Sequence, residues 1–175
     1  MNNQKRNLII GLAALLLMGG FLIYKDQQPN LSKSEKERIE ALIAVQDEEI
    51  QKDKSDQFAY LDKAEYLREL GKIHPALVTL EDAYKINPFW KESGNFMVLE
   101  ARIRGDRDTD EGIEYYLKLF KLYPNNEDYF REYIGFLKKK NMPREMILEV
   151  YKIAIDATDS ETLKREFAQY QRETE

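Results

Sequence analysis

Cysteine is missing from this 175-residue chain. Its absence removes disulfides, thiol nucleophiles, iron–sulfur clusters and thiolate zinc sites together, and with them the lipidated cysteine of a bacterial lipoprotein. A thiol-free chain is tolerated on either side of a membrane. Histidine occurs once, at His74, so no site can draw two imidazoles from one chain; lying before Pro75, it reads as a turn residue between helices. A basic excess is lacking as well. The 27 lysines and arginines stand against 32 acids, a net charge of -5, whereas nucleic-acid-binding surfaces carry the opposite sign. G-x-S-x-G, Walker and dinucleotide motifs are absent. Asp106, Asp108 and Asp110 alternate as in a calcium loop, but an EF-type loop needs glycine sixth and glutamate twelfth. Glu111 and Leu117 stand there instead, so these acids are expected to cap the next helix. The chain is expected to use no metal and no cofactor, and not to be an enzyme.

Long apolar runs are scarce too, with one exception. Residues 8–24 read LIIGLAALLLMGGFLIY, without a charge, between Lys5-Arg6 and Lys25-Asp26. A spanning helix needs about 20 apolar residues, with about 17 as a lower limit. A cleaved signal would end in small residues, but this run ends in Phe21, Leu22, Ile23 and Tyr24. The expectation is a basic tail over 1–7 and a transmembrane anchor in the lipid bilayer over 8–24. Lys5 and Arg6, with no acid nearby, favour a cytoplasmic N-terminus and an extracytoplasmic remainder. Residues 25–34 read as a polar linker with Ser34 as the N-cap of an amphipathic helix over 35–54, striped by Ile39, Leu42, Ile43 and Ile50.

Beyond that helix the chain repeats itself. Ala64, Leu67 and Gly71 recur 34 residues on as Val98, Ala101 and Gly105; Ala76, Leu80, Ala83 and Pro88 recur 36 on as Gly112, Tyr116, Leu119 and Pro124. The two extra residues fall in the loop GDRDTDEG. A weaker third copy holds Gly135, Ile147, Tyr151 and Ala154, with Pro143 opening its second helix and Asp159 in place of the terminal proline. Leu163, Phe167 and Tyr170, behind a Ser160 cap, form the stripe of a last helix. Locally, Gly71 suits a left-handed helix end, Pro88 a stop, and Ala64, Ala76 and Ala83 a close helix approach.

With this period and these residue types, residues 57–172 resemble the tetratricopeptide repeat (TPR) family. The resemblance implies an all-α fold: an α-solenoid of about three helix pairs with a C-terminal capping helix, behind the transmembrane helix. It implies a groove lined by the first helix of each pair, binding a protein or peptide partner. Carried over position by position, the groove would show Phe58, Leu61, Glu65 and Arg68, then Asn95, Leu99 and Arg102, then Tyr129, Glu132, Phe136 and Lys139. Arg68, Arg102 and Lys139 would share one repeat position, either as a cation column for an acidic segment or as solvated cations paired with neighbouring acids. The family's carboxylate clamp for chaperone tails is not matched, since Leu61, Glu65, Phe96, Tyr129 and Tyr133 stand at its positions. The implied function is a membrane-anchored scaffold for protein–protein interaction, an assembly or accessory factor; the alternative is a fixed structural subunit of a larger membrane complex.

Overall fold

The computed structural model describes residues 31–173, and these are all-helical, with no strand among them. The expected anchor in residues 8–24 lies outside the described residues. Among the described residues no helix is long and apolar enough to cross a membrane. In chain order the helices are α1 Lys33–Lys52, α2 Gln57–Glu69, α3 Ile73–Ile86, α4 Gly94–Arg107, α5 Thr109–Leu122, α6 Glu127–Lys139, α7 Arg144–Thr158 and α8 Glu161–Glu173. A 3-10 turn, Pro88–Glu92, joins α3 to α4. The chain forms two compact units whose described parts are residues 31–112 and 113–173.

The first unit grows from its caps. Ser32, rather than Ser34, starts α1: its hydroxyl accepts the Glu35 N–H while the Glu35 carboxylate accepts the Ser32 N–H at 2.7 Å, a reciprocal capping box. Helix α1 therefore begins and ends about two residues earlier than the pattern suggested. It packs antiparallel on α2, pinned by Lys63–Asp47 at 2.6 Å and Lys72–Glu40 at 3.3 Å. Asp56 caps α2 through the N–H groups of Phe58 and Ala59. Ala64, Ala76 and Ala83 are fully buried, as the close approach of α2 and α3 requires. Around them lie Tyr60, Leu67, Leu80, Phe96, Leu99 and Ile103, with Trp90 half-buried against the cluster.

The α2 exit is a Schellman turn. Gly71, at φ 71°, donates to the Arg68 carbonyl, and Lys72 donates to the Leu67 carbonyl. Any side chain there costs about 1–2 kcal/mol in the left-handed region. Gly71→Ala is expected to lower stability by about 1 kcal/mol in chemical denaturation, whereas Asn141→Gly should leave it unchanged or raise it.

Asn141 enters that comparison because it performs the same task in the second unit. At φ 50° it donates to the Lys138 carbonyl while Met142 donates to Leu137. Helix α6 is α2 moved on by seventy positions: Gln57–Glu69 becomes Glu127–Lys139, and cap Asp56 becomes cap Asn126. Helix α7 follows one residue later in register than α3, because Pro143 is added to the turn. Gly105, paired in sequence with Gly71, has no such role. It is a buried residue within α4, which runs on to Arg107, and Asp108 then caps α5 by accepting the Asp110 and Glu111 N–H groups.

The core of the second unit is aromatic. Phe120 and Phe130 stack at 4.4 Å, Tyr116 lies 5.0 Å from Tyr133, and Tyr151 meets Phe167 and Tyr170 of α8 at 5.8 and 6.0 Å. Ser160 caps α8 through the Leu163 N–H, as its position suggested, and Leu163 is fully buried.

Candidate functional site

Helices α2 and α4 lie side by side in the first unit, and four charged side chains tie them together. Arg68 grips Glu65 with a two-pronged contact, Nε to one carboxylate oxygen at 2.9 Å and Nη2 to the other at 2.8 Å. Its remaining nitrogen donates to Asp106 at 2.7 Å, and Arg102 reaches Glu65 at 3.2 Å. The Arg68 side chain is only 14% exposed, and those of Glu65 and Asp106 are 26% and 22% exposed. Burial alone would raise the Glu65 carboxyl, but Arg68 and then Arg102 outweigh it and hold the group below the usual glutamate value. Burial likewise works against the Arg68 charge, and Glu65 and Asp106 outweigh it, raising the guanidinium further.

A second polar cluster joins α3 to α4. Glu100, 5% exposed, accepts two bonds from Arg104 at 2.9 and 2.8 Å, and the Tyr84 hydroxyl donates to its other oxygen at 2.8 Å. Sequence reasoning passed over Glu100. Its signal was the four-residue step to Arg104 on one helix face.

The residues expected on a groove divide into three groups. Phe58 is 60% exposed in the first turn of α2, Asn95 is exposed in the first turn of α4, and Leu61 is half-buried against the core. These three leave a surface that a partner can reach. Leu99 and Phe136 do not. Leu99, 6% exposed, lies on the α4 stripe with Phe96 and Ile103, inside the core. Phe136, 7% exposed, packs against Tyr116 at 5.3 Å. Both expected groove positions are corrected to core positions. Each lies three residues beyond a buried aromatic, and that spacing turns it inward.

The cations form the third group. Arg68 and Arg102 meet at Glu65, as the paired-cation alternative required. Lys139 is exposed, but the matching helix exits correct its register. Arg68 stands three residues before Gly71, and Lys138 three before Asn141. Lys138 is the true counterpart. It receives no carboxylate there; the Tyr151 hydroxyl lies 2.9 Å from its Nζ, which sits 4.4 Å from the centre of the Tyr170 ring. Tyr129 is half-buried, its ring edge-on to Tyr123 at 5.3 Å. Of the three alternating acids, Asp106 serves Arg68 and Asp108 serves the α5 cap.

No protein-family model, no curated protein and no solved structure matches this chain. The functional reading therefore stands on the residues and their geometry.

Proposed function

We propose that the chain is a membrane-anchored, protein-binding scaffold of the tetratricopeptide type. A helix in residues 8–24 holds it at the bilayer, its N-terminal tail in the cytoplasm, and the helical units stack outside as an α-solenoid closed by α8. It acts as an assembly or accessory factor and catalyses no reaction. The observation that carries the reading is the repeated hairpin. α2–α3 and α6–α7 share first-helix length, an Asx cap and a left-handed exit seventy residues apart. Repeated hairpins build extended surface, and extended surface is how helical-repeat proteins bind. On the first unit, Phe58, Leu61 and Asn95 offer a partner an apolar contact beside an amide, next to the partly exposed Arg102.

The runner-up reading, a fixed structural subunit of a larger membrane complex, draws on the Arg68–Asp106 and Arg68–Glu65 pairs. They leave this face with little unmatched charge for an exchanging acidic peptide. One experiment separates the two. A photoreactive residue at Asn95 in intact cells is expected to trap one discrete partner, while the same probe at Glu81, exposed on α3, traps none. Capture of one large complex from both positions would favour the structural subunit. Silence at both would remove the α2/α4 face from consideration.

A further inference from the structure

At one end of the α2–α3 hairpin three apolar side chains stand in water. Phe58 opens α2 and is 60% exposed, Ile86 closes α3 at 45%, and Phe89 in the following 3-10 turn reaches 85%. The turn is pinned. Asn87 accepts the Phe89 N–H at 3.1 Å, and Trp90 stacks on Phe96 at 5.5 Å while approaching Tyr60 at 6.1 Å. Phe89 is thus held outward by a neighbour that is held inward. Exposed large apolar groups gathered on a rigid tip mark contact surfaces.

The charges around this tip select the occupant. Lys54, Lys85 and Lys91 surround it together with Asp53, Asp82 and Glu92, all exposed. A strongly acidic or basic partner, or an anionic bilayer, would meet like charge over half of that rim. A second copy related by a two-fold axis would set cation against acid and apolar centre against itself. Size sets the strength. With about 150–250 Å² available per aromatic side chain, the three residues expose on the order of 400 Å² per copy. A symmetric contact of about 800 Å² falls short of the roughly 1,200 Å² at which specific interfaces become stable. Such a pair forms weakly in solution and fills only where copies are concentrated.

A membrane supplies that concentration. Helix α1 runs antiparallel to α2 and spans about 30 Å at 1.5 Å per residue, so the tip lies at the end of the hairpin away from the start of α1. Anchored copies would carry the same tip at the same height. We propose that the Phe58–Ile86–Phe89 tip is a self-association face through which two membrane-anchored copies of this chain meet. The inference takes its strength, though not its surface, from the anchor reading.

The test uses the full chain in lipid vesicles, with Lys54→Cys carrying donor or acceptor dye in a background that has no other cysteine. Energy transfer is expected to exceed random proximity and to rise with the protein-to-lipid ratio. Phe89→Asp should weaken the apparent association at least tenfold, whereas Val45→Asp, another exposed apolar residue on α1, should leave it unchanged. Unchanged melting of Phe89→Asp keeps the comparison clean. Transfer indifferent to Phe89→Asp overturns the proposal. So does a blue shift of Trp90, the single tryptophan, on vesicles too dilute in protein for copies to meet, which would place the tip in lipid. If the chain washes off the vesicles, the anchor reading fails by itself. Sedimentation equilibrium at submillimolar protein then decides the tip: a Phe89-dependent dimer supports the face, and a monomer throughout removes it.

Discussion

Phe96→Ala is expected to cost about 3–5 kcal/mol of stability, the range for deleting a large aromatic from a packed core. Phe96 is fully buried in the first unit, stacked on Trp90 with an interplanar angle of 12° and 5.7 Å from the Tyr84 ring. It also neighbours Leu99 and Ile103 on the inner stripe of α4. Truncation removes the transfer energy of a phenyl group and leaves a hole that α2, α3 and the 3-10 turn all border. A whole domain is stable by only about 5–15 kcal/mol, so this loss is a large fraction of the total.

The measurement has a built-in reporter. Trp90 is the only tryptophan, and its indole rests on the ring being deleted. Urea unfolding followed by Trp90 emission should move to a much lower midpoint, and the native emission should shift red as water enters. Phe89→Ala, one residue from Trp90 but 85% exposed, should stay within about 0.5 kcal/mol of the parent. Equal shifts from the two truncations would mean that the α4 stripe does not form the core.

Those two phenylalanines also show where the sequence could be read and where it could not. Signals that act through the local backbone were legible. Gly71 ends α2 in the left-handed region, Ser160 caps α8, and the alanines at 64, 76 and 83 sit where helices touch. Where two local signals competed, the sequence had no means of choosing. Ser32-x-x-Glu35 and Ser34-x-x-Glu37 are both capping boxes by spacing, and the fold uses the first. The expected repeat register failed at Gly105 because glycine there matched the family pattern in type and not in task. Asp108 supplied the cap that carried the chain straight into α5.

The groove residues failed for a different reason. A helical stripe a few residues wide has a core edge and a solvent edge, and one hundred degrees of rotation separates adjacent positions. Leu99 and Phe136 fell on the core side, Phe58 and Asn95 on the other. Likewise, no spacing rule joins Arg68 to Asp106, thirty-eight residues away. That pair exists because α2 and α4 are neighbours, a fact of tertiary packing.

Arg68→Met is the expected test of that packing, with a loss of about 2–3 kcal/mol at neutral pH. Removing one member of a fully buried ion pair costs about 3–5 kcal/mol because the partner charge is stranded. Glu65 and Asp106 keep roughly a quarter of their side-chain surface in water, and screening there reduces the penalty. Methionine retains the apolar stem of arginine, so the loss reports the guanidinium rather than a cavity. Arg68→Lys should recover part of it, since an ammonium can serve one carboxylate but cannot present a fork to both Glu65 oxygens. Lys85→Ala, which breaks the exposed Lys85–Asp82 pair, should cost less than about 0.5 kcal/mol.

The pH dependence gives this prediction its sign. Glu65 is held below the ordinary glutamate value of 4.5, with burial opposing the shift and Arg68 and Arg102 more than offsetting it. A carboxylate with a lowered folded pKa contributes stability that is fully present above its unfolded pKa. That contribution is lost as the pH falls through the folded value. In Arg68→Met only Arg102 still faces Glu65 within this network, so the folded value moves back toward the unfolded one. The variant should therefore lie furthest below the parent at neutral pH, and the gap should close on acidification below 4.5. Denaturant midpoints taken from pH 7 down to pH 3 would record it. A gap of constant size across that range would mean that Arg68 acts through packing alone and that the Glu65 pair contributes nothing to holding α2 against α4.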